Sequence, residues 1–358
     1  MSWREQLRRA LRTRAELDDA LGLTHDEREA IDALAATGGL PLGVTPHFLS
    51  LIDRNDPNDP LRVQVVPRGA ELAPSSWDRR DPLGEEDLEA VPYLVHRYPD
   101  RVLLLATDRC ASYCRFCTRK RWVGRGPGPS SDDLEVAVGY VERNPQVREV
   151  IVSGGDALLL GDDKLAALLE RLRRVPHLDV IRLATRMLAF APMRVTSELV
   201  GVLRAHLDVT SAPALYALTH FNHPRELAPA ARRAIMALVD AGVPVLNQTV
   251  LLRGVNDRRE VLVELLRALT RVRARPYYLH QCDLAPGTEA FRVPLHEAQA
   301  LVGSLRGELS GLSVPTFVVD VPGGLGKVTM APSAQVGEDD DAVVLRGFGG
   351  AHGRYPKR

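Results

Sequence analysis

Cysteine is scarce, with four residues in a chain of 358. So few thiols cannot build a disulfide framework, and they fit a reducing compartment. Net charge is missing as well: 46 basic residues stand against 46 acidic ones, which leaves no electrostatic footprint for nucleic acid or a membrane surface. No run of about 18 apolar residues exists to span a bilayer. The charged start Met1-Ser-Trp-Arg-Glu-Gln lacks the apolar stretch of a signal peptide. A soluble cytoplasmic protein is expected. Internal repeats and low-complexity tracts are also absent. Lysine is the last scarcity, because only residues 120, 164, 327 and 357 carry it and the other 42 basic residues are arginine. Where arginine is the default cation, a lysine in an unusual setting points to amine chemistry.

Three of the four cysteines fall within eight residues, Cys110-Ala-Ser-Tyr-Cys114-Arg-Phe-Cys117. Thiolates are the preferred ligands of iron–sulfur clusters, and one loop with this spacing can deliver several of them. Three ligands to a four-iron cluster leave one iron open for a substrate or cofactor. A structural zinc site is the alternative, although it normally closes on four ligands and Cys282 is remote in sequence. Unrelated buried cysteines are another.

Residues 1–90 read as a mainly helical and irregular appendage. Trp3, Leu7, Ala10 and Leu11 recur at helical spacing, and Thr24-His-Asp-Glu27 looks like a capping box. Arg54 to Pro60 and Pro74 to Asp87 read as loop. A core spans 91–348, followed by a tail over 349–358. Within the core, strands are expected at Val102–Ala106, Val147–Val152, Val180–Ala184, Ala214–Leu218, Val243–Leu252 and Pro276–Gln281. The first of these is apolar enough to be buried on both faces. Helices alternate with them at Ser131–Arg143 (capped by Ser131 or Asp132), Asp163–Arg174, Ser197–His206, Pro229–Ala241, Arg259–Val272 and Leu295–Leu309. Such alternation demands a parallel α/β sheet. Six units suggest a partial (βα)6 TIM-like barrel, with a doubly wound open sheet as the alternative. Either architecture places its site at the carboxyl ends of the strands. The polar motifs fall there: the cysteines, Ser153-Gly154-Gly155-Asp156, Thr185-Arg186, His220-Phe-Asn-His223, Asn247-Gln248 and Cys282-Asp283.

A second anchor is Asp320-Val-Pro-Gly-Gly-Leu-Gly-Lys327. It fails as a phosphate loop, since Val321 stands where the first glycine belongs and Val328 follows the lysine. What remains is a lysine on a mobile glycine-rich loop, suited to forming and releasing an imine. Nearby glycine amides could bind a phosphate group.

The cysteine loop resembles the signature of the radical S-adenosylmethionine superfamily. Further motifs narrow the likeness: Arg97-Tyr-Pro-Asp-Arg101, Ser-Gly-Gly-Asp-Ala157, His-Phe-Asn-His-Pro224, Gly-Val-Asn-Asp257, Arg275-Pro-Tyr-Tyr and Pro315-Thr-Phe-Val-Val-Asp through Lys327. From about Pro92 to about Gly347 the chain is similar to the lysine 2,3-aminomutase family. The resemblance implies that Cys110, Cys114 and Cys117 hold a [4Fe–4S] cluster whose open iron chelates S-adenosylmethionine. Ser153, Gly154, Gly155, Asp156 and Gln248 would contact S-adenosylmethionine. Lys327 would carry pyridoxal 5′-phosphate, with Arg101 near that cofactor. Arg119 would hold the substrate α-carboxylate, and Asp283 with Asp320 would grip the ε-ammonium of lysine. A single carboxylate would leave that ammonium's donors uncompensated, and an acidic pair would reject glutamate by repulsion.

The implied reaction moves the α-amino group of free L-lysine to Cβ after a 5′-deoxyadenosyl radical removes a β-hydrogen. A reductant such as flavodoxin or ferredoxin, and a homo-oligomer, go with that reading. Long family members bind zinc through a cysteine after the Asn-Asp pair and a C-terminal cysteine cluster. Arg258 follows Asn256-Asp257 here and the last residues hold no cysteine, so zinc is not expected. His280 stands where an aromatic is common, and Phe116 replaces a histidine of some members. Short members make β-lysine for elongation factor P, but their loop before the lysine differs. The alternatives are the same chemistry on arginine, ornithine or glutamate, and a non-catalytic iron–sulfur or zinc module.

Overall fold

Every apolar run expected to be a strand becomes one, and all of them join a single sheet. The computed structural model describes residues 1–207, 213–347 and 349–357. Its main sheet contains β1 (Glu89–Val91), β2 (Leu94–Tyr98), β3 (Arg101–Thr107), β4 (Glu149–Gly154), β5 (Val180–Thr185), β6 (Ala214–Thr219), β7 (Val245–Leu251), β8 (Ala274–Gln281), β9 (Thr316–Val321) and β10 (Gly326–Thr329), side by side in chain order. Pairing is parallel from β3 to β9 and antiparallel at both edges.

Four helices precede the sheet: α1 (Trp3–Arg8), α2 (Arg14–Leu21), α3 (His25–Ala36) and α4 (Pro46–Leu49). Within it come α5 (Ser131–Arg143), α6 (Asp162–Arg173), α7 (Met187–Phe190), α8 (Ser197–Arg204), α9 (Pro229–Asp240), α10 (Arg259–Arg271) and α11 (Leu295–Leu305). The cap of α5 is Ser130, one residue earlier than expected, because its hydroxyl and the Asp133 carboxylate satisfy each other's backbone N–H groups. The last helix stops at Leu305 rather than Leu309, two residues before Gly307 takes φ +86.

A strand order that never reverses excludes the doubly wound alternative, which needs a switch point. Right-handed crossovers then collect the helices on one face. There Val150, Val152, Ile181, Leu183, Leu215 and Ala217 share a core with Leu165, Leu199 and Ile235 of the helices. No helix among the described residues is long and apolar enough to cross a membrane.

Three expectations change. The boundary at residue 90 falls inside β1, and Trp3, Leu17 and Phe48 belong to the same core as Val102 and Leu104, so the appendage is packed onto the sheet. Lys327 lies on β10 rather than on a mobile loop: Gly323 and Gly324, at φ +79 and +77, turn a hairpin that pairs Lys327 with Asp320. The C-terminal residues form a separate antiparallel sheet of β11 (Gln335–Glu338), β12 (Ala342–Arg346) and β13 (His352–Pro356). The expected tail is therefore a strand, and residue 348 at its boundary lies outside the described residues.

Arg62 anchors the appendage. Its guanidinium donates to Glu27 at 2.8 and 2.6 Å and to the carbonyls of Leu21, Gly22 and Arg54, with both charged side chains only 1% exposed. Glu27 also closes the capping box of α3. Two residues on, Gln64 points into the interior and accepts from Arg186. Arg62→Leu would strand the buried Glu27 carboxylate, and urea unfolding should register a loss of about 3–5 kcal/mol. Adding Glu27→Gln should recover part of it. A loss within 1 kcal/mol, roughly that of an exposed pair, would contradict the anchor.

Candidate active site

The sheet face turned away from the helices lines a cavity of about 560 Å³. Strand alternation decides which side chains reach it. Leu103, Ile151, Ala184, Tyr278 and His280 line it, whereas Leu104, Val152, Leu183 and Leu279 are buried in the core. The first strand is thus covered by helices on one face only. All thirteen residues to which the family resemblance gives a role border this one cavity: Arg101, Cys110, Cys114, Cys117, Arg119, Ser153, Gly154, Gly155, Asp156, Gln248, Asp283, Asp320 and Lys327. His223, Asn247 and Cys282, among the other polar motif residues, do not.

The cysteine loop follows the carboxyl end of β3. Burial, and then Asp156 and the other two cysteines, push Cys110 well above the ordinary thiol range, and burial with Cys114 pushes Cys117 up to about 11. With no cation beside them these buried thiols hold their protons, so a cluster that took them as thiolates would have to release those protons on binding. Among the described residues no three His, Cys, Asp or Glu side chains converge as a single metal ion requires. Cys110, Cys114 and Cys117 all border the cavity, where their thiols could serve a multi-iron cluster.

Gly154 and Gly155 have a structural reason beside any ligand. A Cβ on Gly154 would lie 2.3 Å from the Thr107 carbonyl, and one on Gly155 would lie 2.1 Å from the Arg109 carbonyl. The glycine turn therefore touches the backbone that leads into Cys110. The Asp156 carboxylate accepts from the Leu158 and Arg186 amides, so it shapes this turn at the cavity wall. Burial raises its pKa to about 6.

At the β10 edge of the sheet, Lys327 Nζ donates to Asp320 Oδ2 at 2.5 Å and lies 3.5 Å from His280 Nδ1, while its backbone N–H donates to the Tyr98 hydroxyl at 2.8 Å. Of the glycines whose amides were expected to help bind phosphate, Gly324 lies close to Leu88 and the Leu83 carbonyl, and Gly326 to Tyr98. Cationic and phenolic groups are available elsewhere in the cavity. Arg101, stacked 4.1 Å over Tyr98, lines it with Arg182, Tyr277 and Tyr278. Arg101 opens β3 and the cysteine loop follows that strand's other end, about 20 Å along the strand at 3.3 Å per residue.

The two aspartates differ in charge state. Burial acts on Asp320, but the His280 hydrogen bond and the Lys327 ammonium hold it well below the usual carboxylate range. Burial, reinforced by the charge of Asp320, lifts Asp283 to about 7. Arg119 is gripped side-on by Glu85, with Nε at 3.0 Å and Nη2 at 2.8 Å, while Nη1 points to Ser153 Oγ at 3.5 Å. Sequence reasoning missed Glu85, which sits in an irregular stretch; its one signal was the acidic Glu85-Glu86 pair. Gln64 and Tyr98 were also given no role. His220 lines the cavity and bonds Asn222 at 3.1 Å, whereas His223 caps a short turn.

The radical SAM superfamily signature matches residues 104–266, and that of lysine-2,3-aminomutase matches residues 302–358. The L-lysine 2,3-aminomutase of Clostridium subterminale is 45% identical over 359 residues, covering 99% of this chain and 83% of that one. That of Bacillus subtilis is 41% identical, covering 99% and 74%. The glutamate 2,3-aminomutase of Clostridioides difficile is 36% identical, covering 93% and 77%.

Gly155→Ala should displace Arg109 and with it Cys110. After anaerobic reconstitution, iron should fall well below the roughly four per chain of the parent protein, with an unchanged far-UV spectrum. Full iron loading in the variant would show that the turn does not support the cysteine loop.

Proposed function

This chain belongs to the lysine 2,3-aminomutase family of radical S-adenosylmethionine enzymes, and from that premise we propose that it moves the α-amino group of free L-lysine to Cβ, giving β-lysine. The observation that carries the substrate is the set of charges brought to one cavity: a guanidinium, Arg119, and two carboxylates, Asp283 and Asp320. A partial (βα)6 barrel is supported by a single cavity bordered by residues from β2 through β10.

When bound, a [4Fe–4S] cluster with S-adenosylmethionine would supply a radical initiator, and pyridoxal phosphate a carbonyl to carry the migrating amine. Cys110, Cys114 and Cys117 would hold the cluster. Ser153, Gly154, Gly155 and Gln248 would line the place of S-adenosylmethionine, with Asp156 supporting the turn from behind. Lys327 offers the amine for pyridoxal phosphate. Arg101, with Arg182 and the two tyrosine hydroxyls, suits its phosphate. Arg119, held by Glu85, presents its remaining N–H groups to the α-carboxylate. A reductant such as flavodoxin or ferredoxin and a homo-oligomer complete the proposal.

Asp283 carries the specificity. With its pKa near 7, it would lose a proton when an ammonium arrives, because a positive partner favours the charged form. Asp320 is ionised beforehand and contributes none. Calorimetry of lysine binding to the holoenzyme in two buffers at about pH 6 should show release of up to about one proton, vanishing near pH 9. No release at the lower pH would remove Asp283 from the ammonium site.

The substrate is tested by an anaerobic panel of lysine, arginine, ornithine and glutamate with dithionite and S-adenosylmethionine, scored for β-amino acids. Lysine should dominate, and Asp283→Asn with Asp320→Asn should abolish its turnover while iron and pyridoxal content persist. Glutamate turnover above that of lysine would overturn the assignment.

A further inference from the structure

Arg186 follows β5 and has no part in the roles given so far. Its guanidinium is buried between the rings of Phe116 and Phe190, with centroids at 5.3 and 4.5 Å. Nη1 donates to Cys114 Sγ at 2.7 Å. Nη2 donates to Gln64 Oε1 at 2.5 Å and to Glu226 Oε2 at 3.2 Å. The backbone N–H of Arg186 donates to Asp156 at 2.7 Å, which fixes the start of the side chain as well as its tip.

We propose that Arg186 is a positioning residue for the cluster: it fixes the Cys114 thiolate by hydrogen bond and charge, and thereby raises the reduction potential of the cluster that thiolate binds. The physical reason is direct. Reduction adds an electron, and a fixed positive charge donating N–H to a ligand sulfur stabilises the more negative state. Burial between two rings keeps water from screening that charge. Glu226 is the counterweight, fully buried and fixed by Gln64 Nε2 at 3.0 Å and by the amides of Asn222 and His223. Asn222 Nδ2 donates to the same Gln64 oxygen at 3.1 Å. Gln64 comes from the segment anchored by Arg62, so the N-terminal appendage takes part in setting the potential. The inference rests on the cluster reading of Cys110, Cys114 and Cys117, and it is independent of the amino acid consumed.

The test is a spectroelectrochemical titration of reconstituted full-length protein without S-adenosylmethionine. Arg186→Gln should lower the ratio of reduced to oxidised cluster at a fixed potential by about tenfold, which is ~59 mV more negative for one electron. Arg186→Lys keeps the charge and should recover more than half of that shift. Glu226→Gln removes the counterweight and should move the potential the other way. If Arg186→Gln does not take up iron, the opposite shift of Glu226→Gln still decides. An unchanged potential, or shifts of one sign in both variants, would overturn the inference. A parent protein that takes up no cluster would instead overturn the reading on which it rests.

Discussion

Winding all the parallel crossovers in one sense leaves a single face of the sheet without helices, and the site depends on that asymmetry. Because consecutive strands are neighbours, alternate residues of β3 through β9 all turn to the same side. One row packs against helices through Val152, Leu183 and Leu279, while the other brings Ser153, Ala184 and His280 to a shared cavity. A doubly wound sheet would have buried both rows. The cysteine loop and the lysine hairpin lie more than 200 residues apart in sequence, yet they meet at one cavity because β3 and β9 both feed it.

Charge inside the cavity is arranged in unequal pairs. Asp320 is ionised by its neighbours Lys327 and His280, and its charge helps to keep Asp283 near neutrality. Arg119 has a full-time partner in Glu85, and Arg186 has one in Glu226. Each of these two buried guanidiniums is thus held by one carboxylate, which keeps it in place and leaves N–H groups for another anion or thiolate. Gln64 and Glu85 come from the N-terminal segment, so this segment completes the site in addition to covering the sheet.

Much of this was legible in the sequence because it is local. An apolar run between turn signals makes a strand whatever surrounds it, and a CxxxCxxC loop declares its chemistry within eight residues. What stayed hidden depends on contacts between distant segments. Glu85 has meaning only once Arg119 is placed against it, 34 residues on. The hairpin of Lys327 was read as a mobile loop because glycines signal freedom locally, whereas Gly84 and Leu88 pack against Gly324 and order the turn. The strands β1 and β2 escaped notice because they are short, and they take their order from pairing, β1 with β2 and β2 with β3. Asp156 was grouped with possible cofactor contacts by its place in the motif, but its carboxylate turns to the Leu158 and Arg186 amides.

The central claim is that one cavity joins a radical-initiating cysteine loop to the lysine that carries a migrating amine. The most direct measurement is anaerobic turnover of lysine labelled with ¹⁵N at the α-amino group, in the presence of unlabelled ammonium, followed by NMR of the product. The account predicts that the label appears on Cβ undiluted, and that Lys327→Ala abolishes the transfer without loss of the cluster. Label that stays on Cα, or is diluted by the ammonium pool, while S-adenosylmethionine is consumed would contradict it.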